Sequence, residues 1–281
     1  MTHIAFIGTG LLGAALAEAA ARRGDRVVAW NRTLDKARAL EPFGVRVANT
    51  PADAARDAER IHLILKDDAV VDEVIAALRP GLGPRTIIVD HTTTQPALTA
   101  ARAERLHAEG VRYIHCPVFI GPVAARKGEG TIMASGPREL FDEIHGELSR
   151  MATRVEYLGA RPDLAAVLKL CGNAYIVGSS ALVADVFAVG SGAGVSSADV
   201  ARVFEFFNPA AVFGARAKNM IAGNFAATFE LVMARKDVRL MLETSDRPLA
   251  TLPGIAARMD ALLADGHGAD DLAVIGKDSV S

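Results

Sequence analysis

Cysteine is scarce in this chain. Only Cys116 and Cys171 occur in 281 residues, too few for a disulfide framework and without the spacing of a zinc site. None of the seven histidines falls in a paired HExxH pattern, so no metal is implied. A basic excess is also missing. The formal net charge is −2, from 31 Lys and Arg against 33 Asp and Glu, whereas binding to nucleic acid or an acidic surface usually needs a positive balance. No charged segment followed by a long apolar stretch stands at the start, which opens on the strand-like run His3-Ile4-Ala5-Phe6-Ile7. No secretory signal is expected there, and the expected location is cytoplasmic. The apolar run 174–189 is broken by Ser179, Ser180 and Asp185, and reads as a buried helix rather than a membrane span.

Apolar residues, by contrast, are plentiful. They make up 51% of the chain, enough for one large core or two ordinary ones. Up to about residue 160, short β-rich runs alternate with helical ones. The strand candidates are 3–7, 26–30, 45–48, 60–65, 86–90, 112–116, 131–135 and 154–158, with helical stretches such as 11–23 and 68–78 between the early ones. That alternation predicts an α/β fold with a doubly wound parallel sheet. The near-continuous apolar character of 3–7 and 86–89 suits strands covered on both faces. After Gly159 the pattern changes. Pro162-Asp163 reads as a helix start, and no further Pro occurs before Gly192. More helices are expected at 197–207, 209–222, 228–244 and 253–265. The expected organisation is a sheet domain over 1–160 and an all-α domain over 161–281, joined by the long helix.

Gly8-Thr9-Gly10-Leu11-Leu12-Gly13 follows the first strand directly and opens the first helix. In such a loop the first glycine permits a tight turn, the second lets backbone approach a pyrophosphate, and the third allows close helix–strand packing. An isolated GxGxxG is a weak signal, but here a strand precedes it and a helix follows. The end of the second strand chooses between cofactors. An acidic residue there would hold the 2′-hydroxyl of NAD and repel a 2′-phosphate. The chain has Trp30-Asn31-Arg32-Thr33 instead. Arg32 can pair with a phosphate, and Asn31 and Thr33 can donate hydrogen bonds, so NADP(H) is expected over NAD(H). The plain alternative is that Arg32 is an ordinary surface arginine.

With a helical half behind this loop, the chain resembles the β-hydroxyacid dehydrogenase family, the group of 3-hydroxyisobutyrate dehydrogenase and 6-phosphogluconate dehydrogenase. Five motifs carry the resemblance in family order, over nearly the whole chain. Phe6 to Gly13 looks like the nucleotide motif. Leu65-Lys66-Asp67-Asp68 looks like the loop after the fourth strand that lies near the cofactor. Asp90-His91-Thr92-Thr93-Thr94-Gln95-Pro96 looks like the D-x-S-T-x-x-P loop. Leu168-Lys169-Leu170-Cys171-Gly172-Asn173 looks like the K-x-x-N-N helix, and Lys236-Asp237-Val238 the late K-D-L motif. The resemblance implies that Lys169 is the catalytic proton donor and acceptor and that Asn173 is its partner. It further implies that Leu65, Lys66, Asp67, Thr93 and Lys236 lie at the cofactor.

Lys169 and Asn173 are four residues apart, on one face of a helix. A carbonyl receiving a hydride needs a proton for the emerging alkoxide, and an ammonium can stabilise and supply it. The Asn173 amide can orient the substrate oxygen. Without the resemblance, Lys169 would read as a solvated helix lysine. The family's substrate loop, D-x-P-V-S-G-G, departs here to His115-Cys116-Pro117-Val118-Phe119-Ile120-Gly121. Phe119 replaces the serine and Ile120 a glycine, so the usual carboxylate grip is lost. Phe119, Ile120 and Pro122 suit an apolar wall for a larger or less charged carbonyl compound. Gly172, where the family has the first of two asparagines, is a second departure.

The expected activity is therefore oxidation of a hydroxy compound, or reduction of its aldehyde or ketone, with NADP(H). Two alternatives stay open. Imine reductases share the architecture but generally lack the lysine. A non-catalytic NADP-binding sensor or scaffold would have no chemical need of Lys169 and Asn173. The apolar residues Val203, Phe204, Phe206, Phe207 and Phe213 exceed what a small helical lobe needs. Together with the resemblance they suggest a homodimer or homotetramer.

Overall fold

Short β-branched runs alternating with helices pack as a parallel sheet with helices on both faces, because each crossover must return over the sheet. The computed structural model, which describes residues 3–207 and 210–280, has this arrangement in its first part. In chain order come β1 (His3–Ile7), α1 (Leu11–Arg22), β2 (Val27–Trp30), α2 (Leu34–Arg38), β3 (Arg46–Val47) and α3 (Pro51–Ala55). These are followed by β4 (Ala58–Leu63), α4 (Asp68–Leu78), β5 (Ile87–Asp90), α5 (Pro96–Ala108) and β6 (Arg112–His115). The strands pair in the order β3-β2-β1-β4-β5-β6, and every pairing is parallel. The order reverses at β1, where Ile7 lies in register with Trp30 on one side and Leu63 on the other. Such a reversal leaves a crevice beyond the carboxyl ends of the strands, where open α/β sheets bind ligands. Phe6, Ile87 and Val89 pack into one core with Leu16 of α1. Ala5, Ile7, Ile61 and Ile88 pack into another on the opposite face.

β7 (Val118–Phe119), α6 (Pro122–Lys127), β8 (Thr131–Ala134), α7 (Arg138–Leu148) and β9 (Arg154–Tyr157) follow. Their strands form a separate sheet, β7-β8-β9, with β7 antiparallel to β8 and β8 parallel to β9. The sequence reading expects the strands at 131–135 and 154–158 but not the one at 118–119. Pro117 has no N–H with which to continue β6, and the chain turns so that Val118 pairs with Ile132. A two-residue strand is too short to show a period.

α8 (Leu164–Gly192) runs for 29 residues, about 43 Å. The division between two compact units falls inside it, between Asn173 and Ala174, rather than near residue 160. Its first turns belong with the sheet unit for a local reason. The Ser135 hydroxyl donates to the Pro162 carbonyl at 2.9 Å and accepts from the Ala165 N–H at 3.0 Å, and Ala165 and Ala166 are buried. α8 is long and apolar enough to cross a membrane by length and composition alone. The expectation that it is buried is corrected by the single chain, in which Tyr175, Ile176 and Val177 are exposed.

The second unit continues with α9 (Ser197–Ala201), α10 (Val203–Phe206), α11 (Ala210–Ala222), α12 (Leu231–Thr244) and α13 (Leu252–Ala264). The expected helix over 197–207 breaks at Arg202, and the first residue of the expected helix 209–222 lies outside the described residues. Leu231, Ala234 and Val238 recur at helical spacing and pack on Ala256, Met259 and Leu262 of α13. Two buried carboxylates organise the turns of this unit. Asp185 accepts hydrogen bonds from the N–H groups of Ala250, Thr251 and Leu252. Asp271 accepts from those of Thr228, Phe229 and Ala273. Burial would raise each carboxyl pKa, but the donors around it outweigh that and hold both at about 2.

Candidate active site

The glycine loop joins β1 to α1, and its three glycines have different reasons to be glycine. Gly8 has φ +95°, and a Cβ there would lie 2.2 Å from the Ile64 carbonyl oxygen. A Cβ on Gly13 would lie 1.9 Å from the Gly8 carbonyl oxygen. Gly10, at the N-terminus of α1, has nothing within 4 Å of where its Cβ would stand. No side chain caps α1, so its free N–H groups and dipole face this open space. An anion fits there by geometry and charge. The space is a cleft of about 400 Å³. Of the residues expected at the cofactor, Gly8, Gly10, Leu11, Leu12, Gly13, Asn31, Arg32, Thr33, Leu65 and Lys66 line it.

Asn31 is largely engaged in holding the loop. Its Oδ1 accepts the Thr9 N–H and its Nδ2 donates to the Thr33 carbonyl, both at 3.0 Å. Arg32 is exposed and has no salt-bridge partner among the described residues. The sequence reading missed Lys36, a third cation lining the cleft beside Arg32 and Lys66. Its signal was available, since it stands four residues beyond Arg32, inside α2. Trp30, Ile64 and Val70 form apolar wall, and only their place in the fold reveals them.

Beneath the loop after β5 lies a buried polar network that the sequence reading also missed. Asp90 accepts from the Thr92 N–H at 2.9 Å and from the Tyr113 hydroxyl at 2.8 Å. Thr92 Oγ1 accepts from the Leu65 N–H at 3.1 Å, which ties the two cofactor-side loops together. His91 Nδ1 lies 2.6 Å from the Cys116 carbonyl, an acceptor only, so Nδ1 carries the proton. His91 Nε2 then accepts from His62 Nδ1 at 2.9 Å. His115 Nε2 donates to the Thr92 carbonyl at 3.0 Å. Burial lowers the pKa of all three rings, His62 well below its usual value, His91 to about 4, and His115 in the same direction. They are neutral near pH 7 and act as scaffold. Burial also pushes the Cys116 thiol up, which makes it inert.

Lys169 is 9% exposed and has no ion-pair partner among the described residues. Desolvation holds its pKa below the ordinary lysine value. Its Nζ lies 4.0 Å from the centroid of the Phe119 ring, a cation–π contact of about 0.5–2 kcal/mol that offsets part of the desolvation. Asn173 follows one turn later on the same helix. Pro117 and Val118 turn inward; Val118 joins the first core and the Pro117 carbonyl accepts from Met133. Phe119 and Ile120 are partly exposed. Gly121 caps the start of α6.

The family model for the NAD binding domain of 6-phosphogluconate dehydrogenase matches residues 3–159. The chain belongs to this family. It is thereby an NAD(P)-dependent oxidoreductase of the β-hydroxyacid dehydrogenase type. Glyoxylate/succinic semialdehyde reductase 1 of Arabidopsis thaliana is 25% identical over 92% of this chain and 91% of that protein. The cytokine-like nuclear factor N-PAC of Anopheles gambiae is 27% identical over 90% of this chain. The chain spans 45% of that protein's length. Among solved structures, an imine reductase from Pseudomonas sp. superposes with a TM-score of 0.90 at 21% identity, over 99% of both chains, which shows the same fold.

Three residues expected at the cofactor do not line the nucleotide cleft. Asp67 caps α4 by accepting the Val70 N–H at 3.1 Å. Thr93 is exposed in the loop after β5. It does not cap α5, whose N-terminal residue Gln95 donates its N–H to Asp68 instead. Lys236 lies on α12 in the second unit and pairs with Asp237 at 2.8 Å.

Proposed function

We propose that this oxidoreductase uses NADP(H) to interconvert a hydroxy compound, a 3-hydroxy acid or a related alcohol, with its aldehyde or ketone. The observation that carries the reading is Lys169, a buried ammonium without an ion pair among the described residues, one helical turn from Asn173. The cofactor, when bound, supplies or accepts the hydride. Gly10 and the N-terminus of α1 would receive its pyrophosphate. Arg32 and Lys36, with no carboxylate at the end of β2, would receive a 2′-phosphate. Lys169 donates its Nζ proton to the carbonyl oxygen during reduction and takes it back during oxidation. Its lowered pKa brings that transfer closer to neutral pH. The Asn173 amide donates to the same oxygen and fixes its direction.

Imine reduction is the second reading. It is favoured by the fold shared with the Pseudomonas imine reductase and by a loop in which Phe119 and Ile120 carry no hydroxyl. NADPH oxidation by the wild type and by Lys169→Ala, measured over acids, aldehydes, ketones and cyclic imines, separates the readings. A carbonyl activity that falls about 10²-fold in the variant with NADPH affinity retained supports the first. Activity confined to imines supports the second. NADPH binding without turnover of any substrate supports a non-catalytic binding protein.

We further propose a homodimer. Phe204, Phe206, Phe207 and Phe213 are exposed in the single chain, as is much of α8. An apolar groove in the second unit, between Tyr175, Phe213, Met220 and Met241, adds to this apolar surface. Light scattering coupled to size exclusion tests this, and a mass of 29.5 kDa at micromolar concentration would refute it.

A further inference from the structure

Two of the residues that depart from the family pattern, Phe119 and Gly172, touch each other. A Cβ built on Gly172 would lie 2.2 Å from Cζ of Phe119 and 2.8 Å from its Cε1. A rigid aromatic rim cannot yield at that distance, so no side chain fits at 172 while the ring is in place. The face of the same ring lies against Lys169 Nζ. The ring therefore sits between bare helix at Gly172 and the ammonium one turn earlier. Its backbone is fixed as well. Val118 and Phe119 pair with Ile132 and Thr131 in β8. Gly130, at φ +114°, closes on the loop so tightly that a Cβ there would lie 2.8 Å from the Phe119 carbonyl oxygen.

We propose that Phe119 and Gly172 act as one specificity-determining pair, an aromatic wall seated on a glycine beside Lys169, which admits neutral carbonyl or C=N compounds with an apolar body and excludes small aldehydes bearing a carboxylate. The inference rests on the reductase reading above and narrows it, from a 3-hydroxy acid or related alcohol to the neutral compounds alone. An aromatic face attracts the ammonium and repels a carboxylate, and a phenyl ring offers no donor to replace lost water. Lys169 is the one cation of this cluster among the described residues. A substrate carboxylate would compete with the reacting oxygen for it and form an unproductive pair. A neutral substrate leaves Nζ free for the oxygen or nitrogen that receives the proton.

The test compares the wild type, Phe119→Ser, Gly172→Asn and the double variant. Phenylacetaldehyde and 2-methyl-1-pyrroline serve as probes without a carboxylate and succinic semialdehyde as the one that carries it, with melting temperature and NADPH affinity read in parallel. The expected wild-type kcat/KM favours one of the probes without a carboxylate by about 10²-fold, a discrimination of the size that apolar pockets produce. Phe119→Ser lowers that ratio at least about tenfold, chiefly through KM for the semialdehyde. Gly172→Asn alone lowers the melting temperature, and the double variant recovers most of the loss. A Gly172→Asn protein that folds only together with Phe119→Ser is the same coupling in its extreme form. Equal losses of melting temperature in Gly172→Asn and the double variant would overturn the pairing. A wild type that prefers succinic semialdehyde would overturn this inference while leaving the reductase reading standing. NADPH binding with turnover of no probe would overturn both.

Discussion

Alanine at Gly10 and at Gly13 should separate nucleotide binding from folding. At Gly13 the new Cβ would stand 1.9 Å from the Gly8 carbonyl oxygen, where even close C···O contacts are about 3.3 Å. Relief requires a displacement of about 1.4 Å. Neither side yields easily, because Gly8 is in the left-handed region and its N–H is bonded to the Trp30 carbonyl at 2.9 Å. Overpacking costs about 1–3 kcal/mol where side chains can adjust. With backbone on both sides the upper end, about 3 kcal/mol, is expected. For a unit of this size that is a fall in melting temperature of about 6–12 °C. At Gly10 the same methyl meets nothing within 4 Å, and φ −69° with ψ −167° is ordinary backbone for alanine. Stability should change by less than about 0.5 kcal/mol. Yet the methyl projects where a pyrophosphate must approach, so NADPH affinity should fall about tenfold to a hundredfold, or about 1.4–2.8 kcal/mol. Calorimetry and NADPH fluorescence titration on both variants read the two effects apart. Wild-type NADPH affinity in Gly10→Ala, or wild-type melting in Gly13→Ala, would refute the reasoning.

Further outcomes are expected. Arg32→Ala combined with Lys36→Ala should weaken NADPH binding by about tenfold to a hundredfold and leave NADH affinity nearly unchanged; equal losses for both cofactors in titration would remove these residues from 2′-phosphate recognition. Acid should open the two units in sequence. His62, His91 and His115 are neutral in the folded chain, whereas unfolded histidine takes a proton below about pH 6.5. Their contribution is complete above that pH and is lost as pH falls toward 4, where His91 protonates in the folded state. Asp185 and Asp271, held at about 2, contribute about 2 kcal/mol each above pH 4 and lose it between about 4 and 2. Hydrogen exchange along a pH series should therefore show the sheet unit loosening first; earlier opening of the helical unit would contradict the assignment.

The parts of this architecture that announce themselves in sequence are those with a period or a stereochemical demand. β1 and the glycine loop are legible because apolar burial on two faces and a positive φ at Gly8 each restrict residue type sharply. The Lys169 and Asn173 spacing is legible because a helix face repeats every three to four residues. β7 escapes because two residues carry no period. The His62–His91–Cys116 chain escapes because its members come from three strand ends brought together only by the parallel register. The Phe119–Gly172 contact lies between those cases. Each residue stands out as an exception to a pattern, but only three-dimensional proximity makes them one exception. Lys36 could have been read as a cation close behind Arg32 in sequence.

The three buried imidazoles also make this protein its own reporter. Each ring's tautomer follows from a hydrogen bond anchored on a backbone carbonyl, and burial lowers the pKa of all three. Nitrogen-15 resonances of His62 and His91 should therefore stay constant from about pH 6 to 9. A resonance that moves when cofactor is added would then report a change of hydrogen-bond length beneath the loop after β5, free of any contribution from protonation. The strand ends that carry the loops could be followed through a catalytic cycle without a single label introduced by mutation.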